Sequence, residues 1–442
     1  MVTERTNDTG LGRIWKCVCL SLGLLIIVTL CQFDRHAKAE APPSHPLVGS
    51  SDVQAEVERL VNHLDAPQLA VREQAEKDLI AMGPRILPLL EPKRQLSPEA
   101  TLRLNRVRAA LVEQTVATET MPTRVTCKVN GVSLRTVISE IAQQTGNLLT
   151  VGNDLEERPV TWDCQAKTFW DAIDDLTKTL RLRCEPAENG GLMIVQREPL
   201  ESQYADRAVN CGIFRVQLRE FAKIERGGSE LSVVTIDIKW EPRLQPAVIW
   251  LRSISMEGGS PGDLKPAQGT FVRREIPVSP RKCFVSLSVP LELPSQTNGQ
   301  EAILRGAFEP VLPVAMLDMA FDTRELRQSS RSVFLGQAEV TARLLQTTEQ
   351  SCEVVLRTRY QEPFDAFASH RGWFYTWPVY LEVASQKLSP NQTELISMSE
   401  DGVELLYRFG CFEGLSGRFI CRVPVAIVKP VIGFQLPLPS GS

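Results

Sequence analysis

Three spacings of apolar residues succeed one another along the chain. From residue 52 to about 118 they recur three or four apart, as in Leu60-Val61-Asn62-His63-Leu64 and Val71-Arg72-Glu73-Gln74-Ala75-Glu76-Lys77-Asp78-Leu79. That is the period of helices with one buried face. Between 123 and 197 short alternating runs take turns with helical ones. Beyond 205 every second residue is apolar within runs broken by turn clusters, which predicts strands with one face in a core.

The middle stretch reads as a unit. Arg124–Val129 alternates as a strand, Asn130-Gly131 predicts a turn, and Ser133 is placed to cap a helix carrying Leu134, Val137, Ile138 and Ile141. Gly146 is placed to end that helix in the left-handed region. Leu148–Val151 and Pro159–Cys164 follow as strands, and Phe169, Ala172, Ile173 and Leu176 line a second helix over 168–179. Leu182-Arg183-Cys184 and Leu192–Val195 close as a hairpin across Asn189-Gly190-Gly191. The expectation is a small α+β domain with both helices on one sheet face.

In the last part, strands are predicted over 213–218, 231–240, 248–254, 283–289, 338–345, 352–359, 378–383, 403–409 and 418–425. Three pairs of segments keep their order: Trp240-Glu241-Pro242 with Tyr360-Gln361-Glu362-Pro363, Trp250–Ser255 with Tyr380–Ser385, and Phe284–Pro290 with Phe419–Pro424. They suggest two related sandwich modules, 205–321 and 332–435, divided near Asp322–Arg331, with a frayed tail at 436–442. Chance likeness between alternating strands competes with that reading. The fold class expected is therefore multidomain: an α-helical segment at 52–118, the α+β domain at 123–197, then two all-β sandwich-like modules.

Composition and charge narrow the function classes. The chain has 442 residues, 43% hydrophobic and 23% charged, which excludes wholesale disorder. Lys+Arg 49 against Asp+Glu 53 leaves a net charge of −4, with no basic excess to grip nucleic acid. Arg103, Arg106 and Arg108 form the one basic cluster, read as a solvated helix face. At the N-terminus, Arg5, Arg13 and Lys16 precede an apolar run at 17–31, and Ala37-Lys38-Ala39 offers a small-x-small cleavage site. Residues 1–39 thus read as a secretory signal or as a membrane anchor, with 40–51 a proline-bearing linker. Either outcome places the remainder in the periplasm or cell envelope, with the membrane a partner only if the segment stays uncleaved.

The α+β stretch resembles the short N-terminal domain of secretins and TonB-dependent receptors. The resemblance rests on Val129-Asn130-Gly131-Val132-Ser133-Leu134, on Ala142-Gln143-Gln144-Thr145-Gly146 and on Thr168-Phe169-Trp170-Asp171-Ala172-Ile173. It covers roughly a sixth of the chain and encodes a fold without chemistry. It implies an envelope address and docking to envelope proteins, for which sheet-edge pairing is a natural mechanism. No transmembrane barrel pattern follows, so neither a pore nor a receptor is expected. The helical segment, with Met82-Gly83-Pro84 after its second helix, looks like one helical pair of a HEAT-type repeat. A single unit of that kind must bury its face on neighbours.

Candidate chemistry is sparse. The four histidines, His36, His45, His63 and His370, show no metal-ligand spacing, so no metal or cofactor is expected. Gly258-Gly259-Ser260-Pro261-Gly262 matches a nucleophile elbow in letters, but it lies between strands and Pro261 removes a needed N–H. Asp174 and Asp175 are adjacent on a helix and point apart. His370, Arg371, Trp373, Tyr375 and Trp377 form a candidate glycan- or peptide-binding patch. The preferred reading is that the alternate aromatics fill the sandwich core while His370 and Arg371 cap a turn. Glu362 and Asp365, near His370, are the acids a carbohydrate-active alternative would use. Of the cysteines, Cys127 with Cys164 and Cys411 with Cys421 are the candidate disulfides, buried free thiols being the competing state. The expectation is a non-enzymatic scaffold or docking protein.

Overall fold

The computed structural model describes residues 51–90, 96–197, 204, 206–226, 229–257, 273–292, 302–347, 351–368, 370–383, 386–410 and 417–438. The signal or anchor at 1–39, the linker as far as residue 50, the Gly258–Gly262 string and Cys411 lie outside them; Ser51, the last linker residue expected, already belongs to the first helix. A few helices precede a larger β-rich part made of several sheets. No helix among the described residues is long and apolar enough to cross a membrane.

Helices α1 (Ser51–His63) and α2 (Leu69–Ala81) and a 3-10 turn at Pro84–Leu89 lead to the longer α3 (Pro98–Thr120). Ser97 caps α3 by accepting from the Ala100 N–H at 3.2 Å, and Pro98 stands where a missing N–H costs nothing. The basic cluster is structural: Arg103 is 8% exposed and bonds Glu76 and Glu99, while Arg108 donates to the Leu90 carbonyl.

The α+β segment has β1 (Arg124–Ser133), α4 (Leu134–Thr145), β2 (Leu149–Val151), β3 (Pro159–Thr168), α5 (Phe169–Leu180), β4 (Leu182–Pro186) and β5 (Leu192–Gln196). Ser133 caps α4 by accepting from the Thr136 N–H, and Gly146 ends it at φ 69°. Asn130-Gly131 does not turn the chain. Gly131, at φ +68°, forms a bulge inside β1, and the strand continues to Ser133. The strands also do not form one sheet: β1 and β3 pair as a ribbon, and β2-β5-β4 forms a second sheet. α4 touches β1 and β2 while α5 touches β3 and β4, so the helices bridge two sheets instead of covering one face. A ribbon and a sheet facing opposite sides of the helices bury both helix flanks, which the apolar pattern of single strands does not specify.

The β-rich part contains β6 (Ala208–Cys211), β7 (Phe214–Arg226), β8 (Ser229–Trp240), β9 (Val248–Glu257), β10 (Arg274–Pro277), β11 (Phe284–Glu292) and β12 (Ile303–Asp322). After the short α6 (Thr323–Gln328) come β13 (Arg331–Leu335), β14 (Ala338–Thr347), β15 (Ser351–Tyr360), β16 (Val379–Val383) and β17 (Gln386–Leu388). β18 (Gln392–Ser399), β19 (Gly402–Gly410), β20 (Arg418–Val428) and β21 (Ile432–Pro437) complete it. One sheet runs β11-β8-β7-β6 and another β13-β14-β15-β19-β18. Both face a third, ordered β10-β9-β12-β20-β16-β17, with β21 also on β12. Phe214 meets Phe308 edge-on at 5.2 Å across the first interface, and Phe409 meets Phe419 at 6.3 Å across the second.

The two sandwiches repeat one another strand for strand. β6-β7-β8 corresponds to β13-β14-β15, β9-β10 to β16-β17, β11 to β19 and the first half of β12 to β20, with β18 an addition. The registers agree in detail. Trp240 N–H donates to the Cys283 carbonyl as Tyr360 N–H donates to Asp401, and Glu241 N–H to Ile213 as Gln361 N–H to Gln337. The preceding hairpins turn at Gly212 and Gly336, with φ 68° and 60°. Two of the three sequence correspondences thus pair structurally equivalent strands. The third does not: Phe284 lies on β11, whereas Phe419 lies on β20, whose equivalent residue is Phe308. Both phenylalanines begin similar apolar runs, and only the ladders tell the strands apart.

The sandwiches also exchange strands. β12 and the β20–β21 segment form one antiparallel ribbon without a change of register, from Ile303 opposite Pro437 to Asp322 opposite Arg418. β12 therefore starts in the first sandwich and ends in the second, while β21 returns from the second to the first. A division near Asp322–Arg331 consequently does not separate the sheets, and the C-terminal strand belongs with the first half. Leu436 and Leu438 are fully buried, so the expected fraying does not reach residues 436–438.

Candidate functional site

The aromatic string folds into the end of the second sandwich. After β15, Phe364 and Asp365 take positive φ, which reverses the chain so that Phe367 stacks on Tyr360 at 5.5 Å. Trp373 donates its indole N–H to the Ala366 carbonyl at 2.9 Å and meets Trp377 edge-on at 5.4 Å. Trp373 and Trp377 are 5% and 6% exposed, whereas Tyr375 is 50% exposed. A ring must offer a face to stack on a sugar, so the two tryptophans cannot serve in a surface patch as they stand. They are core, and the five patch residues do not share a surface.

His370 and Arg371 instead reach the first sandwich. Both bond Glu275 of β10, His370 Nε2 at 2.7 Å and Arg371 at 3.1 Å. Burial opposes ionisation of Glu275, but the bonds from His370 and Arg371 hold its carboxyl below the usual range. The Trp250 ring lies beneath the Arg273 guanidinium at 4.3 Å and near Arg371 at 5.8 Å. Of the alternative acids, Asp365 faces Arg273 at 3.7 Å and Glu362 is exposed.

Cys127 and Cys164 are buried register partners across β1 and β3, present as free thiols. Cys127 donates to Glu140 at 3.6 Å and Cys164 to the Val125 carbonyl at 3.5 Å. Burial, with Glu140 adding to it, pushes the Cys127 thiol up to about 11. Cys421 is a fully buried thiol in β20. No group of three or more His, Cys, Asp or Glu among the described residues could hold a metal ion.

Two further constellations carry little sequence signal. The first is a buried joint around Glu241, which is 0% exposed. Its carboxylate accepts from Thr123 N–H at 3.0 Å, Thr123 Oγ1 at 2.9 Å and Arg243 Nε at 2.7 Å. Arg243 goes on to the Glu119 and Met121 carbonyls at the end of α3, and its N–H donates to Asn147. Glu119 in turn accepts from Ala315 N–H at 2.7 Å, although burial raises its pKa. Helix, α+β segment and first sandwich thus meet on one ion pair.

The second is a cleft of about 860 Å³ between α5, β4 and the β7–β8 face of the first sandwich. Arg215 crosses it to Asp174 and packs over Trp170 at 5.8 Å, and Trp170 donates to the Ile213 carbonyl at 3.2 Å. Lys239 lies inside, donating to Gln217 Oε1 at 2.7 Å. Charged residues on alternate positions of β7 and β8 were the available signal, but a strand's outward face is normally wet.

No family model and no curated protein matches this sequence. A solved structure, described as the crystal structure of the conserved domain protein from Bacillus anthracis, is similar at 9% identity with a TM-score of 0.15. That match covers 55% of this chain and 96% of the other, and at this score it carries no argument about fold or function.

Proposed function

We propose that this is an exported, non-catalytic envelope protein that serves as a scaffold and docks partner proteins through a sheet edge. The observation that carries the reading is β18. It pairs with β19 alone among the described strands, and Leu395 and Ile396 are 36% and 44% exposed. It holds no proline and a single charged residue, Glu394, so apart from a bulge between Leu395 and Ser397 its open edge is lightly guarded. The resemblance of the α+β segment to secretin and TonB-receptor N-terminal domains and the export signature support the same address. The buried Glu241–Arg243 joint suits a scaffold, because it fixes the orientation of three parts.

Affinity capture of the full chain from crosslinked envelopes tests this. A reproducible partner lost on Ile396→Pro is expected, with unchanged thermal unfolding of the variant. A chain recovered alone, or a partner retained by the variant, would sink the edge-pairing reading. A carbohydrate-binding role remains the second proposal, with the exposed Tyr375 its available ring; failure to shift in a cell-wall glycan titration would remove it.

A further inference from the structure

The cleft between the α+β segment and the first sandwich is lined by seven basic and four acidic side chains, in a chain whose net charge is −4. Most of that charge is internally matched: Asp174 takes Arg215, Asp206 takes Arg197 and Asp237 faces Arg219 at 3.7 Å. Lys239 is different. It is 7% exposed, and no carboxylate among the described residues lies within ion-pairing distance of its ammonium. An ammonium has three donors, and Gln217 accepts from one. Burial first, and then Arg215 of β7, lower its pKa, while Cys184 of β4, Cys283 ahead of β11 and Asp237 on its own strand act the other way. A buried ammonium without a counter-ion is costly, and an entering anion would offset that cost.

The surroundings suit an organic anion better than a bare ion. Leu182, Pro186, Leu218 and Phe284 form an apolar wall, and the volume falls in the range of small-molecule sites, which favour domain boundaries. Lys178 and Arg181 stand exposed at the C-terminal end of α5, on the rim, where they attract negative charge.

We propose that this cleft binds a small organic oxyanion, its carboxylate or phosphate seated on Lys239 and its body against Leu182, Pro186 and Phe284. The site does not depend on the docking role of β18. The test is calorimetric titration of the full chain with citrate and with glycerol phosphate, each against sodium chloride at matched ionic strength. Saturable binding of one or both is expected, the stronger probe telling carboxylate from phosphate. Lys239→Met, which keeps the length and removes the charge, should weaken binding about tenfold or more, and the exposed Lys178→Gln about twofold. Chemical acylation of Lys239, read by mass spectrometry on the wild type, should slow when the probe is bound, which keeps the test decisive if Lys239→Met unfolds. No saturable heat with either probe up to on the order of 10 mM, or equal binding by a folded Lys239→Met chain, would overturn the proposal.

Discussion

The two sandwiches share strand order, ladder register and the glycine turn before their central hairpin, yet they end that hairpin differently. In the first, the residue after the strand is Glu241, wholly buried and gripped by Arg243, Thr123 and Asn147. In the second, the equivalent Gln361 is exposed, and the chain beyond it folds an aromatic plug onto Tyr360. The same β-framework is thus closed once by a neighbouring segment through a polar joint, and once by its own loop through ring packing. The lesson is that a repeated sandwich need not repeat its end: what closes it depends on what lies beside it.

Substitution at the two equivalent positions, Glu241 and Gln361, tests this difference most directly. Glu241→Ala leaves the partly buried Arg243 guanidinium, Thr123 and Asn147 without their buried acceptor and should cost about 3–5 kcal/mol, against less than about 0.5 kcal/mol for Gln361→Ala. Urea unfolding of both variants measures the difference; similar losses would mean the joint is not what closes the first sandwich. A smaller effect separates the residues that end the strands. The Tyr360 hydroxyl donates to the buried Pro424 carbonyl at 2.8 Å, whereas the Trp240 indole N–H has no partner among the described residues. Tyr360→Phe should therefore cost about 1–2 kcal/mol by equilibrium unfolding.

The smallest effect concerns the clasp between sandwiches. Glu275 has a depressed folded-state pKa, so its contribution is present above the unfolded carboxyl value of about 4.3 and is lost as pH falls through the folded value. Because the pair is partly exposed, it is worth less than about 1 kcal/mol. The melting difference between wild type and Glu275→Gln should close as pH drops from about 6 toward 3. A difference that stays constant across that window would place the contribution outside the carboxylate's charge.

Much of the local structure was legible. The order of the α+β elements follows from the period changes, Ser133 and Gly146 cap α4 as their chemistry requires, and the buried tryptophans follow the core reading of the aromatic string. β12 was not legible, and its residues explain why. Pro310 and Pro313 inside the run argue against a strand, since each removes a ladder donor. In the fold, Pro310 stands opposite the 429–431 interval between β20 and β21, and Pro313 lies beyond the end of the β9 ladder, so each stands where one neighbouring ladder is interrupted. The cleft was illegible for a related reason: Lys239 reads as an outward strand residue until α5 and β4 cover that face.

Local and periodic features follow from the order of residues alone: which stretches are helical, which alternate as strands, and where serine and glycine cap a helix. Those follow from backbone sterics and from the burial of one face, which act over a few residues. Strand pairing, the crossing of β12 and β21 between sandwiches, and the burial of Glu241 and Lys239 emerge only once the chain has folded. Pairing and burial depend on residues far apart in the chain, and alternation assigns a strand its two faces without naming what will cover either one.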